Sequence, residues 1–157
     1  MVSGAWKGAQ NMAQRIVTTA LVDWARFAQA RAALGTNFAR LLAYFREDGG
    51  KSITFIEEAM RAHDPIGMIS PADLLKSEAV QMGALGLAEL AEAIEYEARD
   101  CLELHLSPDT MVESVVALRM AFNAVVEQFD RETNPLMVRR PGSHPVMAGQ
   151  FGQLEAL

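Results

Sequence analysis

Apolar residues recur along most of this chain at steps of three and four. That periodicity calls for helices that each bury a single stripe. Phe38, Leu41, Leu42, Phe45, Ile53, Ile56, Ala59 and Met60 form one stripe, and Leu87, Leu90, Ala91, Ile94, Ala98 and Cys101 form another. Met111, Val115, Leu118, Phe122, Val125 and Phe129 step by 4, 3, 4, 3 and 4, the seam of a helical bundle. No sustained period-two alternation competes with these stripes, so strands are not expected.

Glycine and proline set the breaks. A short helix beginning near Val22 carries Trp24, Phe27, Ala28 and Arg31 at turn spacing and stops at Gly35. The long stripe that follows is interrupted at Gly49-Gly50 and then resumes, which points to a kinked or locally frayed helix, not a loop. Asp64-Pro65 ends it. The next helix can start at Asp64-Pro65 or at Ser70-Pro71, because each pair offers a cap followed by proline at the first helical position. Gly83 ends that helix, and Ser107-Pro108-Asp109 restarts the chain after the following one.

The expectation is an all-α, antiparallel up-down four-helix bundle with a short N-terminal capping helix. Residues 1–21 read as an N-terminal arm, 22–134 as the bundle and 135–157 as a flexible C-terminal tail.

The chain has 157 residues, enough for one domain with a real core. Its net charge of −6 and single adjacent basic pair, Arg139-Arg140, argue against nucleic acid or an anionic membrane as partner. One cysteine, Cys101, rules out an internal disulfide and fits a reducing compartment. The apolar run from Val115 to Val126 is broken by Arg119 and Asn123 and is too short to span a bilayer. With no apolar signal segment in the first twenty residues, a cytoplasmic location is expected.

Residues 70–83 carry the chain's most informative surface. On a helix turning about 100° per residue, Leu75, Ala79 and Met82 form the core face opposite Asp73. Ile69, Lys76, Ser77, Val80 and Ala84 flank Asp73. A face of one acid, one lysine and small or modest apolar neighbours suits docking, since long charged side chains would hold a partner away. Ser70-Pro71-Ala72-Asp73 also reads as a capping box with its acid at the third position. Asp73 and Lys76 form an i,i+3 pair besides.

This stretch resembles the phosphorylation helix of histidine-containing phosphotransfer (HPt) domains. Their pattern is Ala-His-x-Leu-Lys-Gly with a glycine ten residues after the histidine. Ala72, Leu75, Lys76 and Gly83 match, followed by Leu87, Leu90, Ile94 and Glu95 on the next helix. Asp73 stands in place of the histidine and Ser77 in place of the glycine. The resemblance implies a phosphorelay protein of two-component signalling, with a response-regulator receiver domain or a histidine kinase as partner. It also implies that the phosphoacceptor is missing: a pseudo-HPt that binds without transferring, hence not an enzyme and without a cofactor. A carboxylate can form an acyl phosphate, but that needs charge neutralisation that Glu78, on another side of the helix, does not supply.

Two other readings stand beside it. An active carrier would use His63, His105 or His144; Ala62-His63-Asp64-Pro65-Ile66-Gly67 imitates the start of the family pattern and then departs from it. An unrelated helical interaction or oligomerisation module could imitate the spacing. Metal chemistry is not indicated, because a di-iron bundle needs Glu-x-x-His and neither His63 nor His105 has a glutamate three residues before it. Glu89, Glu92, Glu95 and Glu97 read as a solvated face, and Cys101 as core.

Overall fold

The structure, a computed structural model, describes residues 20–136. These form five α-helices: α1 (Trp24–Leu34), α2 (Phe38–Arg61), α3 (Ile66–Gln81), α4 (Leu85–Glu103) and α5 (Val112–Thr133). Short 3-10 turns at Gly35–Asn37 and Pro108–Met111 precede α2 and α5. There are no strands among the described residues. The architecture is the all-α four-helix bundle, α2 to α5, with α1 as the short N-terminal helix. No helix among the described residues is long and apolar enough to cross a membrane.

Most of the stripe residues read from the sequence form the core, while Leu41, Ala59 and Met60 of the α2 stripe are half-buried. Phe38, Leu42, Phe45, Ile53 and Ile56 of α2 are buried, as are Leu87, Leu90, Ala91, Ile94, Ala98 and Cys101 of α4. Met111, Val115, Leu118, Phe122 and Val125 are buried along the fifth helix and its entry. On α1 only Phe27 is buried; Trp24 keeps 40% of its surface, and Ala28 and Arg31 are exposed. Phe27 joins α1 to α2 through an edge-to-face contact with Phe38, ring centroids 5.1 Å apart.

Helix α2 runs unbroken through Gly49-Gly50, so the expected kink or fraying is not a break in the helix. The reason for one glycine is steric. A Cβ on Gly49 would stand 2.7 Å from Cε2 of Phe122, so the absent side chain lets that ring lie against the α2 backbone. Gly49 and Ser52, both buried, carry the stripe across the gap between Phe45 and Ile53.

Helix α3 starts at Ile66, which settles the choice between the two proline pairs in favour of Asp64-Pro65. Asp64 Oδ1 accepts from the Gly67 N–H at 3.1 Å and closes the first turn. Pro71 therefore lies inside the helix, where it cannot donate to the Gly67 carbonyl.

Three of these helices end alike. At His63, Gly83 and His105 the backbone takes positive φ (54°, 79° and 52°). In each case the following N–H reaches back five residues: Asp64 to Ala59, Ala84 to Ala79 and Leu106 to Cys101, at 2.8–2.9 Å. These are Schellman turns, which satisfy the last helical carbonyls. Gly83 is under a second constraint, because a Cβ there would meet the Asp23 carbonyl oxygen and the Phe27 nitrogen at 2.9 Å.

That second constraint comes from an N-terminal strap. Asp23 N–H donates to the Gly83 carbonyl at 2.8 Å, and Gly86 N–H donates to the Leu21 carbonyl at 3.1 Å. Leu21 and Val22 are buried, so Leu21, read as the last residue of an arm, is part of the body. The rest of that arm (1–19) and the tail from 137 onward lie outside the described residues. Within the final turns of α5, Arg131 pairs with Glu127 and Thr133 donates to the Phe129 carbonyl at 2.8 Å.

Candidate docking face

Because α3 begins at Ile66, Asp73 sits in its middle, two turns from the N-terminus. The capping-box reading of Ser70-Pro71-Ala72-Asp73 is therefore corrected: Asp64 caps the helix, and Asp73 is not at its third position. Met68, Ala72, Leu75, Ala79 and Met82 point into the core, and Asp73 lies on the opposite, solvent side with 59% of its side chain exposed.

Of the flanking residues proposed from sequence, Ser77 and Val80 are exposed, while Ile69 and Lys76 are half-buried. Ala84 is a correction. It is fully buried and follows Gly83 in the Schellman turn, so it offers no surface to a partner. Two apolar residues of the same face were missed: Ile66 (66% exposed) and Leu74 (51%). Ile66 lies only about 20° from Asp73 around a helix of 3.6 residues per turn. The sequence leaves the helix start open between two proline pairs, and only a start at Ile66 brings that side chain onto the face. The exposed face thus runs Ile66, Ser70, Asp73, Leu74, Ser77 and Val80: one charge among small and aliphatic side chains. Ser77 Oγ donates to the Asp73 carbonyl at 3.0 Å, which folds the hydroxyl back onto the helix and keeps the turn beside Asp73 low.

Lys76 links this face to the bundle. Its Nζ lies 2.7 Å from Glu95 Oε2 on α4 and 3.2 Å from Asp73 Oδ1. Glu95 also receives Arg99 Nη2 at 2.7 Å on its other oxygen. Glu95 is buried, with 5% of its side chain exposed, and does not belong to a solvated face as its sequence context suggested. Its two cations account for a charge in that position. The glutamate hydrogen bond, and then the Asp73 one, hold the Lys76 ammonium above its ordinary pKa.

Glu97 departs from the solvated-face reading as well. It is half-buried and accepts from the buried Ser114 hydroxyl at 3.1 Å. Burial pushes its carboxyl upward, more than the serine pulls it down. Glu89 is exposed and Glu92 half-buried.

The chemistry this allows is limited. Asp73 offers a lone carboxylate at the centre of this face, and the nearby ammonium is shared with Glu95. Glu78 faces away, toward Asp48 of α2. Among the described residues no group of three or more His, Cys, Asp or Glu side chains is placed to hold a metal ion. His63 and His105 occupy the left-handed positions that end α2 and α4, and His63 Nδ1 lies 3.3 Å from Asp109 Oδ1. Neither is on the α3 face, and His144 lies outside the described residues. Cys101 is buried in the core; burial, then the Glu97 carboxylate, pushes its thiol up.

No family model matches the sequence, and no curated protein matches it at a significant level. Among solved structures, the chain is similar to the crystal structure of histidine-containing phosphotransfer protein B (HptB) from Pseudomonas aeruginosa PAO1. The match covers 73% of this chain and 95% of that protein, with a TM-score of 0.66 at 20% identity. The bundle described above is thus the fold of an HPt protein.

Proposed function

We propose that this protein is a phosphorelay component of the HPt type that lacks the acceptor. It binds a response-regulator receiver domain or a histidine kinase through the α3 face as an adaptor or competitor, without carrying a phosphoryl group. The observation that carries the reading is the position of Asp73. It sits mid-helix, exposed, amid small and aliphatic neighbours, at the place the HPt motif gives to histidine, with Lys76, Leu75 and Gly83 in register. The HPt fold of the bundle supports the same reading.

Binding and transfer separate on physical grounds. Docking needs an accessible, low-relief surface with a few apolar contacts, and Ile66, Leu74 and Val80 provide those around a short polar centre. Transfer needs a nucleophile that carries the phosphoryl group and a partner charge to stabilise it. A carboxylate with its lysine shared with Glu95 is poorly equipped for that. The test is incubation with a radiolabelled phospho-receiver, followed by detection of acid-labile label. The wild-type chain remains unlabelled, and Asp73→His acquires label. Label on the wild-type chain that is lost in His63→Ala or His105→Ala would overturn the proposal in favour of an active carrier.

A further inference from the structure

The α4 edge of the docking face carries a cation whose orientation is fixed from beneath. Arg99 Nη2 pairs with Glu95 Oε1 at 2.7 Å, and Lys76 Nζ takes Oε2 of the same carboxylate at 2.7 Å. Glu95 is buried, so both cations are tied to it: releasing either would leave part of a buried charge uncompensated. They differ in what remains. Lys76 is half-buried and also meets Asp73 at 3.2 Å. Arg99 keeps 49% of its side chain exposed, and Glu95 engages a single nitrogen of its guanidinium fork. The other N–H groups have no partner among the described residues.

Helix geometry brings this free edge beside the face. Helices α3 and α4 are antiparallel neighbours that meet at Lys76 and Glu95. One turn onward along α4, to Arg99, is therefore one turn back along α3, to Asp73. The same step rotates Arg99 about 40° from Glu95 toward solvent. Lys76 and Arg99 are the only Lys or Arg residues of these two helices. A guanidinium edge matches a carboxylate in shape and charge, and one already held by a buried acid loses little freedom on pairing. Asp73 repels a second carboxylate placed over it, so an acid on a docked protein is steered to the α4 edge.

We propose that Arg99 is a specificity determinant of the docking face. Its free edge pairs with an Asp or Glu side chain of the bound domain, while Ile66, Leu74 and Val80 take that domain's apolar surface. The inference rests on the docking function proposed above and adds the chemistry that a partner must present.

Calorimetric titration of the full chain against purified receiver and kinase domains, at ~50 and ~300 mM NaCl, tests this. For the domain that binds, Arg99→Gln is expected to weaken affinity about tenfold at low salt and to flatten the salt dependence, with Arg99→Lys between it and wild type. Exposed acids of that domain, replaced one at a time by their amides, should include one whose loss is not additive with Arg99→Gln. Thermal melts separate a structural role: a lowered Tm with unchanged salt dependence and no coupled partner acid would overturn the proposal. If Arg99→Gln fails to fold, the partner's variants decide, and an affinity that none of them lowers would overturn it equally. Binding that Val80→Arg abolishes and Arg99→Gln leaves unchanged overturns this inference and spares the docking reading. A panel in which no domain binds overturns both.

Discussion

Lys76 of α3 and Glu95 of α4, nineteen residues apart, meet at 2.7 Å. The lysine of the phosphotransfer-like motif is thereby tied to a buried acid on the neighbouring helix. Asp73 receives the same ammonium at 3.2 Å from the solvent side. Lys76 is therefore a structural bridge at the half-buried edge of the exposed face, and its two carboxylates should be energetically unequal. Lys76→Met is expected to lower the urea midpoint clearly, because it leaves the buried Glu95 with Arg99 alone. Asp73→Asn should change stability little, since its pair is exposed. A double-mutant cycle of Lys76→Met with Glu95→Gln should show a clear coupling, larger than the cycle with Asp73→Asn.

The two adjacent glycines of α2 should respond in opposite directions. Gly49→Ala drives a methyl into the Phe122 ring in a packed core and is expected to destabilise by about 1–3 kcal/mol. At Gly50 the nearest outside atom stands 3.9 Å from a built Cβ, so Gly50→Ala meets no clash. It should gain up to about 1 kcal/mol from helix propensity. Urea unfolding of the two variants checks the pair.

His105 is a histidine held at φ 52° in a helix-ending turn. A side chain in that region is strained by roughly 1–2 kcal/mol, and glycine relieves it at some cost in unfolded-chain entropy. His105→Gly is expected to raise stability by about 0.5–1 kcal/mol, read from thermal melts. A loss would mean that the ring makes contacts that outweigh the strain.

Glu97 gives the fold a pH signature. Its carboxyl is held above 4.5 in the folded state, chiefly by burial, so the folded state keeps its proton after the unfolded chain has lost it. Stability contributed by this group is therefore present below pH 4.5 and falls as pH rises through the folded-state value. Glu97→Gln keeps an acceptor for Ser114 and removes the buried charge. It should melt higher than wild type at pH 7, with the difference closing toward about pH 4.

The stripes of α2, α4 and α5, and the end of α3 at Gly83, were legible because each is a local pattern. The start of α3 was not. Asp64-Pro65 and Ser70-Pro71 present the same capping chemistry, and only the Gly67 bond to Asp64 separates them. That six-residue difference moved Asp73 from the helix start to its middle and brought Ile66 onto the face. Glu95 was misread for another reason. Its angle on α4 places it beside Ala88 and Ala91, at the edge of the buried arc. Its composition class nevertheless suggested solvent, and the lysine that compensates it lies on a different helix. Ala84 was misplaced by extending the helical angle past Gly83, where the positive φ has already turned the chain inward. The sequence reads His63 as a residue at a helix C-terminus, and the fold has both His63 and His105 at positive φ in helix-ending turns.

The central claim is that the α3 face binds a receiver or kinase although its acceptor position is an aspartate. Calorimetric titration of the chain against a panel of purified receiver and kinase domains tests it most directly, with Val80→Arg and Asp73→Arg run in parallel. The account predicts saturable binding to a member of the panel that either arginine weakens by tenfold or more, with each variant folded like the wild type. Binding that both variants leave unchanged would contradict it, as would a panel in which no domain binds.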